Sequence, residues 1–270
     1  VVCDAHCGTR TYLGTYLCFL RARRPPRSTP FPDPALFRSG AATDAAPLRR
    51  PLVTRRKGSR PAEIERELKT LLAAREVSAN IEALRAKGST VEYRSCDVRD
   101  ETAFGALIDS VYDDHGTIDG VIHGAGVIED KLLAQKTDES FDRVFDTKVR
   151  GALILAEKLR PDVRFVAFFS SIASAFGNRG QTDYAAANDL LDKLAYALDR
   201  RLPGRVVSFN WGPWDGSGMV SEDLRAAYER RGLGLIDPAA GVAACFAELD
   251  QPEGPAQVIL MSAAKEGLPL

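Results

Sequence analysis

The sequence predicts an α/β fold in which helices cover both faces of a doubly wound parallel sheet. Two observations predict it. Beyond Gly88, short apolar runs of strand length alternate with amphipathic segments of helix length, and strands joined through a crossover helix run parallel. The chain also contains no repeat of solenoid length, which excludes a stack of repeated units.

Five strands are expected, each a short apolar run bounded by turn-forming residues. They cover residues 91–95, 120–123, 164–170, 206–210 and 257–261. Amphipathic helices are expected between them at 101–115, 138–159, 183–201 and 238–249. Residues 61–87 predict one long helix or two consecutive helices, because Pro61 suits a first turn and apolar residues such as Ile64 and Leu68 repeat at helical spacing.

The composition of the chain changes near residue 60. Residues 21–60 are dense in arginine and proline, and proline fixes φ and removes a backbone donor, so we expect irregular structure there. We therefore divide the chain into an N-terminal segment 1–60, a domain 61–262 and a tail 263–270.

Charge and composition exclude several kinds of partner. Lys plus Arg total 36 and Asp plus Glu total 37, so we expect neither nucleic acid nor an anionic membrane to bind by charge. The apolar runs are far shorter than the ~20 residues that cross a bilayer, and no secretory signal pattern opens the chain. Five cysteines, an odd number, favour reduced thiols and a cytoplasmic location. Cys3, His6 and Cys7 resemble half of a zinc site, but no second pair follows, so we expect no metal.

Candidate binding residues follow the predicted strands. In doubly wound sheets, ligands bind beyond the carboxyl ends of the strands. The small, polar or turn-forming residues at these places are Asp97, Val98, Gly124, Ala125, Gly126, Ser170, Ser171 and Pro213. A simple turn also explains the glycines at 124–126, because a lone Gly-x-Gly is weak evidence.

The segment 168–188 carries the strongest chemical pattern. A predicted strand ends in Ser170 and Ser171, a glycine-containing loop follows, and a helix begins near Tyr184 with Asn188 one turn later on the same face. This arrangement directs a serine, a tyrosine and an amide toward one crevice. Each piece also has a structural explanation, and Tyr184 taken alone is better explained as a core residue.

With two further segments, this pattern resembles the Rossmann-like short-chain dehydrogenase/reductase superfamily, and more narrowly the ketoreductase domains of polyketide and polyunsaturated fatty acid synthases. The segments 119–126 (DGVIHGAG) and 210–214 (NWGPW) occur in that family's order. Most superfamily members have a lysine four residues after the tyrosine, whereas synthase ketoreductases have asparagine there and a lysine on an earlier helix. Here Asn188 occupies the first position and Lys148 the second.

The resemblance implies that NADPH reduces a β-ketoacyl thioester, carried by an acyl carrier protein, to a D-3-hydroxyacyl thioester. It implies that Tyr184 donates the proton, that Ser171 stabilises the developing oxyanion, and that Lys148 lowers the pKa of the tyrosine. Asn188 would hold Lys148, or a water between Lys148 and Tyr184, in place. The implied partners are the carrier protein and other domains of a synthase.

The resemblance also implies a cofactor path and a substrate path. The implied cofactor-binding residues are Gly8, Arg27, Asp97, Val98, Gly124, Ala125, Gly126 and Pro213. Asp97 matches the residue that meets the adenine, and Arg27 the one that meets the 2′-phosphate. Asp130, from the partial motif Ile128-Glu129-Asp130, and Phe176, eight positions before Tyr184 (184 minus 8), are implied to guide the substrate.

The N-terminal segment departs from the family, which opens with a strand and a glycine-rich turn at a helix N-terminus. This chain keeps only Gly8 and Arg10 in loosely similar places, and Arg27 follows Arg10 by 17 positions (27 minus 10). A complete βαβ unit spans ~30 residues, so we expect an irregular or truncated first unit. Two alternatives therefore stay open: an inactive ketoreductase-like structural domain, and a free-standing dehydrogenase for a small alcohol or sugar.

Overall fold

The computed structural model describes residues 2–5, 16–20, 60–215, 228 and 233–262. In chain order its elements are β1 (Val2–Ala5), β2 (Tyr16–Leu20), α1 (Pro61–Ala86), β3 (Tyr93–Cys96), α2 (Glu101–His115), β4 (Gly120–His123), a 3-10 turn (Leu133–Gln135), α3 (Asp138–Lys158), β5 (Phe165–Ser171), α4 (Ile172–Phe176), α5 (Thr182–Asp199), β6 (Arg205–Trp211), α6 (Pro238–Leu249) and β7 (Gln257–Leu260). Every predicted strand and helix is present, with ends that differ by two residues or fewer. The segment after residue 60 forms one helix, α1, rather than two.

The strands form one sheet in the order β3-β1-β2-β4-β5-β6-β7. β4, β5, β6 and β7 are parallel to one another, and β1 is parallel to β3. Helices lie on both faces of this sheet, so the predicted α/β architecture is confirmed.

Strand β2 is the exception to the predicted parallel sheet, because it runs antiparallel to both β1 and β4. Ten residues, 6–15, separate β1 from β2 (15 minus 6 plus 1), whereas a parallel connection needs a crossover of a dozen residues or more. Strand β2 is not one of the five strands that the sequence predicts, so it adds an antiparallel member to the predicted sheet. Strands β1 and β2 are the described part of the segment for which the sequence predicts an irregular first unit.

The core has two layers because successive side chains of a strand point to opposite faces. Val166 and Phe168 of β5 pack with Leu155 of α3 and Leu191 of α5. Ala167, between them, joins the cluster on the other face, which includes Cys245 of α6. Strand β5 is thus packed on both faces, and this packing fixes the position of its carboxyl end.

Two glycines shape the connection between α4 and α5. Gly177 (φ 69°) and Gly180 (φ 85°) adopt the left-handed backbone conformation that glycine alone enters without strain. The carbonyl of Gly180 accepts a hydrogen bond from the backbone N–H of Lys131 at 3.0 Å. The loop that precedes α5 is therefore joined to the loop that follows β4.

Three general properties of the described residues bear on function. None of their helices is long and apolar enough to cross a membrane, and no three of their His, Cys, Asp or Glu side chains group as a metal site requires. Cys96 and Cys245 are free thiols, and burial raises the pKa of Cys245 to about 11. His6 and Cys7 lie outside the described part of the chain.

Candidate active site

Four parallel strands end at one edge of the sheet, at Cys96, His123, Ser171 and Trp211. The loops that follow them surround the crevice in which a doubly wound sheet binds its ligands. Helices α3 and α5 pack against each other beside this edge. They contribute the remaining side chains of the site.

Helix α5 presents Tyr184 and Asn188 on one face, a turn apart. The half-buried ring of Tyr184 packs against Val127 and Val144. Asn188 is fully buried, and its Nδ2 donates a hydrogen bond of 2.7 Å to the carbonyl of Tyr184. Within the described residues, Asn188 Oδ1 has no hydrogen-bond partner, so the amide keeps an acceptor available beside the tyrosine.

The phenol of Tyr184 lies in a site with opposing electrostatic influences. Burial raises its pKa, whereas side-chain hydrogen bonds with Ser171 and Asn188 lower it. Both of these residues therefore lie close to the phenol. The phenol therefore keeps its proton at neutral pH, and its raised pKa makes it a weaker acid than a free tyrosine.

Lys148 extends from α3 toward the tyrosine and is 4% exposed. Its Nζ donates a hydrogen bond of 2.6 Å to the carbonyl of Phe169 and lies 5.6 Å from the centroid of the Tyr184 ring. Burial lowers the pKa of Lys148 to about 8, while the carboxylate of Asp192 raises it. The Nζ of Lys148 thus lies over the ring of Tyr184.

Two residues behind Lys148 hold it in this position. A side chain at Gly126 would place its Cβ 2.9 Å from Lys148 Cε, so a larger residue there would force the lysine to shift. His123 is fully buried, and burial lowers its pKa to about 4. The neutral imidazole therefore donates from Nε2 to the carbonyl of Lys148 at 2.8 Å. The sequence assigned Gly126 to the cofactor path and assigned His123 no role.

The paired serines at the end of β5 have different surroundings. Ser170 is buried, and its hydroxyl donates to the carbonyl of Asn188 at 3.2 Å. Ser171 is half-buried and caps α4, since its Oγ accepts a hydrogen bond from the N–H of Ala173 at 3.2 Å. Ser171 is thus the serine that faces Tyr184, because alternate residues of a strand point to opposite sides.

The predicted cofactor residues are only partly within the described chain. Asp97 follows β3, and Arg99 binds its carboxylate with two nitrogens, at 3.0 Å and 2.7 Å. Val98 is fully buried in the core. Gly124, Ala125 and Pro213 follow β4 and β6 as predicted. Gly8 and Arg27 lie outside the described residues.

The predicted substrate-guiding residues lie on two loops that contact each other. The carboxylate of Asp130 accepts hydrogen bonds of 3.1 Å and 3.0 Å from Gln181 Nε2. Its neighbour Glu129 instead binds Arg143 of α3. Phe176 ends α4 and is 67% exposed. Of the neighbours Glu129 and Asp130, it is therefore Asp130 that contacts the loop before Tyr184.

A buried ion pair, which the sequence analysis missed, fastens the loop after β4 to the first turn of α5. Lys136 Nζ lies 2.5 Å from Asp183 Oδ2, and both side chains are 2% exposed. The lysine also donates to the carbonyl of Glu129 at 2.8 Å, and the other oxygen of Asp183 accepts from the N–H of Tyr184 at 2.9 Å. In the sequence, the pair is visible only as two opposite charges 47 positions apart. Helical or strand periodicity does not connect positions at that distance.

The architecture defines the class of protein as a short-chain dehydrogenase/reductase. A short-chain dehydrogenase from Streptomyces avermitilis superposes with a TM-score of 0.58 over 68% of this chain and 75% of that one, at 21% identity, which shows the fold alone. The ketoreductase from the first module of phoslactomycin biosynthesis in Streptomyces sp. HK803 superposes with a TM-score of 0.66. It is 34% identical and covers 71% of this chain and 44% of that chain.

The profile of the KR domain family matches residues 52–216. The chain therefore belongs to the KR, or ketoreductase, domain family. A polyunsaturated fatty acid synthase polypeptide from Thraustochytrium sp. is 34% identical over 202 residues, 74% of this chain and 7% of that protein. The erythronolide synthase EryA3 of Saccharopolyspora erythraea is 34% identical over 181 residues, 67% of this chain and 6% of that protein.

The chain thus spans a small part of the relatives it matches, which are large synthases. KR domains are oxidoreductases, and their fold implies a nicotinamide cofactor.

Proposed function

We propose that this chain reduces a β-ketoacyl thioester, carried on an acyl carrier protein, to a D-3-hydroxyacyl thioester at the expense of NADPH. One observation carries the proposal. The phenol of Tyr184 contacts Ser171 and Asn188, and the buried Nζ of Lys148 lies 5.6 Å from its ring. These are a proton donor, an oxyanion donor and a cation, placed at the carboxyl edge of a doubly wound sheet.

Reduction of a ketone places negative charge on the carbonyl oxygen, and each of these groups acts on that charge. The Tyr184 hydroxyl donates its proton to the oxygen. Ser171 donates a hydrogen bond that strengthens as the charge develops, which lowers the barrier more than it stabilises the ground state. The ammonium of Lys148 stabilises the phenolate that remains. Asn188 Oδ1, which has no hydrogen-bond partner among the described residues, is available to hold the ammonium or a water beside it.

The residues at the strand ends fit a nicotinamide dinucleotide. The carboxylate of Asp97 is 31% exposed at the end of β3, where it is able to accept a hydrogen bond from the adenine amine. Gly124 lacks a side chain, so its backbone is open to the ribose and pyrophosphate. Pro213 follows β6 beside the place of the nicotinamide. When bound, the cofactor supplies the hydride.

The comparisons and the loop geometry support the finer parts of the proposal. The relatives that match are long synthases, and we expect a carrier protein and neighbouring domains to deliver the substrate. Asp130 is held at the crevice by Gln181, on the side from which we expect the carrier-bound chain to enter. Entry from that side presents the ketone face that yields the D-hydroxy product.

The test is turnover of a synthetic β-ketoacyl thioester by the purified chain, followed by the loss of NADPH absorbance and by chiral chromatography of the product. We expect NADPH-dependent formation of the D-3-hydroxyacyl thioester. A predominantly L product would remove the role of Asp130. Calorimetry that detects no NADPH binding would instead favour the inactive structural domain, and equal kinetics with NADH would remove the argument for Arg27.

A further inference from the structure

Asp192 of α5 is the buried acid at the centre of a polar cluster. Its side chain is fully buried, and the described donors that contact it are neutral groups. Oδ1 accepts from Ser208 Oγ at 2.6 Å, and Oδ2 accepts from Ser174 Oγ at 2.6 Å, Asn210 Nδ2 at 2.7 Å and Gln257 Nε2 at 3.0 Å. These four donors satisfy both oxygens of a side chain that no water reaches, as a buried polar group requires.

The same cluster reaches the backbone of Ser171. Ser174 Oγ lies 2.8 Å from the carbonyl oxygen of Ser171, and Asn210 Nδ2 lies 3.2 Å from it. Asp192 thus connects α5 to the turn between β5 and α4, to β6 and to β7. The position of the Ser171 hydroxyl relative to Tyr184 depends on this connection, since the two residues lie on different elements.

Asp192 also acts on Lys148 through its charge. Burial lowers the pKa of Lys148 to about 8, and Asp192 is the carboxylate that opposes this shift. The other groups around the lysine are the phenol of Tyr184 and the neutral imidazole of His123. Lys193 also feels Asp192, but it is exposed and paired with Asp189 at 3.0 Å.

We propose that Asp192 is a positioning residue of the reductase site, which fixes the turn that carries Ser171 and keeps Lys148 in its ammonium form. The inference rests on the proposed ketoreductase function, and it adds a residue that the sequence analysis did not single out. Tyr184, Asn188 and Asp192 occupy one stripe of α5 at intervals of four residues. The stripe thus carries the proton donor, the amide and the buried charge.

The test compares Asp192→Asn with Asp189→Asn, which removes an exposed carboxylate from the same helix, 52% exposed. For Asp192→Asn we expect kcat to fall by about tenfold or more, because the reacting groups lose their alignment, with a small change in KM. Reduction requires the ammonium, so the loss of the opposing charge moves the basic limb of the kcat profile down by about half a pH unit or more. Asp189→Asn leaves both quantities at the wild-type values. Equal behaviour of the two variants overturns the proposal.

A direct titration of Lys148 separates this inference from the proposed function. Carbon-13 NMR of labelled lysine, assigned with Lys148→Arg, reports the ammonium without turnover. We expect the Lys148 titration to move to lower pH in Asp192→Asn and to stay in place in Asp189→Asn. If wild-type protein does not reduce thioesters, the proposed function fails, and this titration still decides the charge effect. An unmoved titration overturns the inference even in an active enzyme.

Ser174→Ala tests the positioning of the turn with the charge intact, and it serves if Asp192→Asn does not fold by circular dichroism. Removing this hydroxyl deletes one donor to Asp192 and one contact to Ser171. We expect kcat to fall several-fold while the Lys148 titration stays at the wild-type position. A variant with wild-type kcat contradicts the proposal.

Discussion

Two regions of the sheet differ in how their polar groups are held. We call residues 120–211, with β4 to β6, α3 and α5, the catalytic half, and β1 to β3 with the loop after β3 the first-unit half. In the catalytic half, polar side chains distant in sequence pair in the interior, as Lys136 and Asp183 do at 2% exposure. In the first-unit half, Asp97 pairs with Arg99, two residues away, at 31% and 26% exposure.

The difference leads us to expect that the geometry of the proposed active site is set mainly within the catalytic half. The contacts that place Tyr184, Lys148, Ser171 and Asn188 lie within the catalytic half. The antiparallel β2 pairs with this half along β4, where Leu17 pairs with His123. We therefore expect changes in the two halves to have separable effects on turnover and on nucleotide binding.

The largest effect is expected for Tyr184→Phe, which removes the proposed proton donor. Turnover should fall by about 10²- to 10⁴-fold, the usual contribution of a positioned acid, while the Kd for NADPH stays unchanged because the lost oxygen acts on the substrate. Steady-state kinetics and calorimetry measure the two quantities. Tyr196→Phe, which alters an exposed tyrosine of the same helix, is the matched control. Turnover within a few-fold of wild type contradicts the assignment.

The buried ion pair is expected to dominate the stability of the catalytic half. Lys136→Met leaves the Asp183 carboxylate buried without its partner, so the free energy of unfolding should fall by about 3–5 kcal/mol. Urea denaturation measures it. Adding Asp183→Asn should recover much of the loss, because the uncompensated charge is removed. Lys158→Met, at a half-exposed pair with Asp109, should change stability by less than about 1 kcal/mol. Equal effects of the two lysine changes would show that burial does not matter here.

His123, at the boundary between the halves, should make stability depend on pH. Its pKa is about 4 in the folded protein and 6.5 as a free side chain, so the unfolded chain binds the extra proton between these values. The free energy of unfolding is therefore highest above pH 6.5, and it falls by about 3 kcal/mol as the pH drops toward 4.

The measurement for His123 is urea denaturation at several pH values, with His123→Gln as the comparison. Glutamine keeps a donor for the carbonyl of Lys148 but does not titrate. The variant should therefore lose stability on acidification by about 3 kcal/mol less than wild type. If the free energy of unfolding falls equally with pH in the two proteins, His123 is not the source of the pH dependence.

The smallest effect is expected in the first-unit half. Asp97→Asn keeps the size of the side chain but removes the charge proposed to accept a hydrogen bond from the adenine amine, so the Kd for NADPH should rise by about tenfold, the equivalent of one charged hydrogen bond. The turnover number at saturating NADPH should stay close to that of wild type. Calorimetry and kinetics together check this separation. A large loss of turnover at saturation would show that the two halves are coupled.

Much of the fold was predictable because its signals are local. Helix α2 and strand β4 have the predicted bounds, since amphipathic periodicity and flanking turn residues mark them in the sequence itself. The direction of β2 was not predictable from such signals. Strand direction depends on which neighbour a strand pairs with, and the composition of residues 1–60 does not state that.

The sequence by itself determined which residue types stand at the crevice, because Ser171, Tyr184 and Asn188 follow one another within one strand, loop and helix. Only the tertiary structure decided how Lys148 reaches the tyrosine past Gly126, and that Asp192 connects four elements. The physical reason is that a buried charge or amide needs partners wherever the fold brings them. For Asp192 those partners lie up to 65 positions away, and no spacing rule connects residues across such a distance.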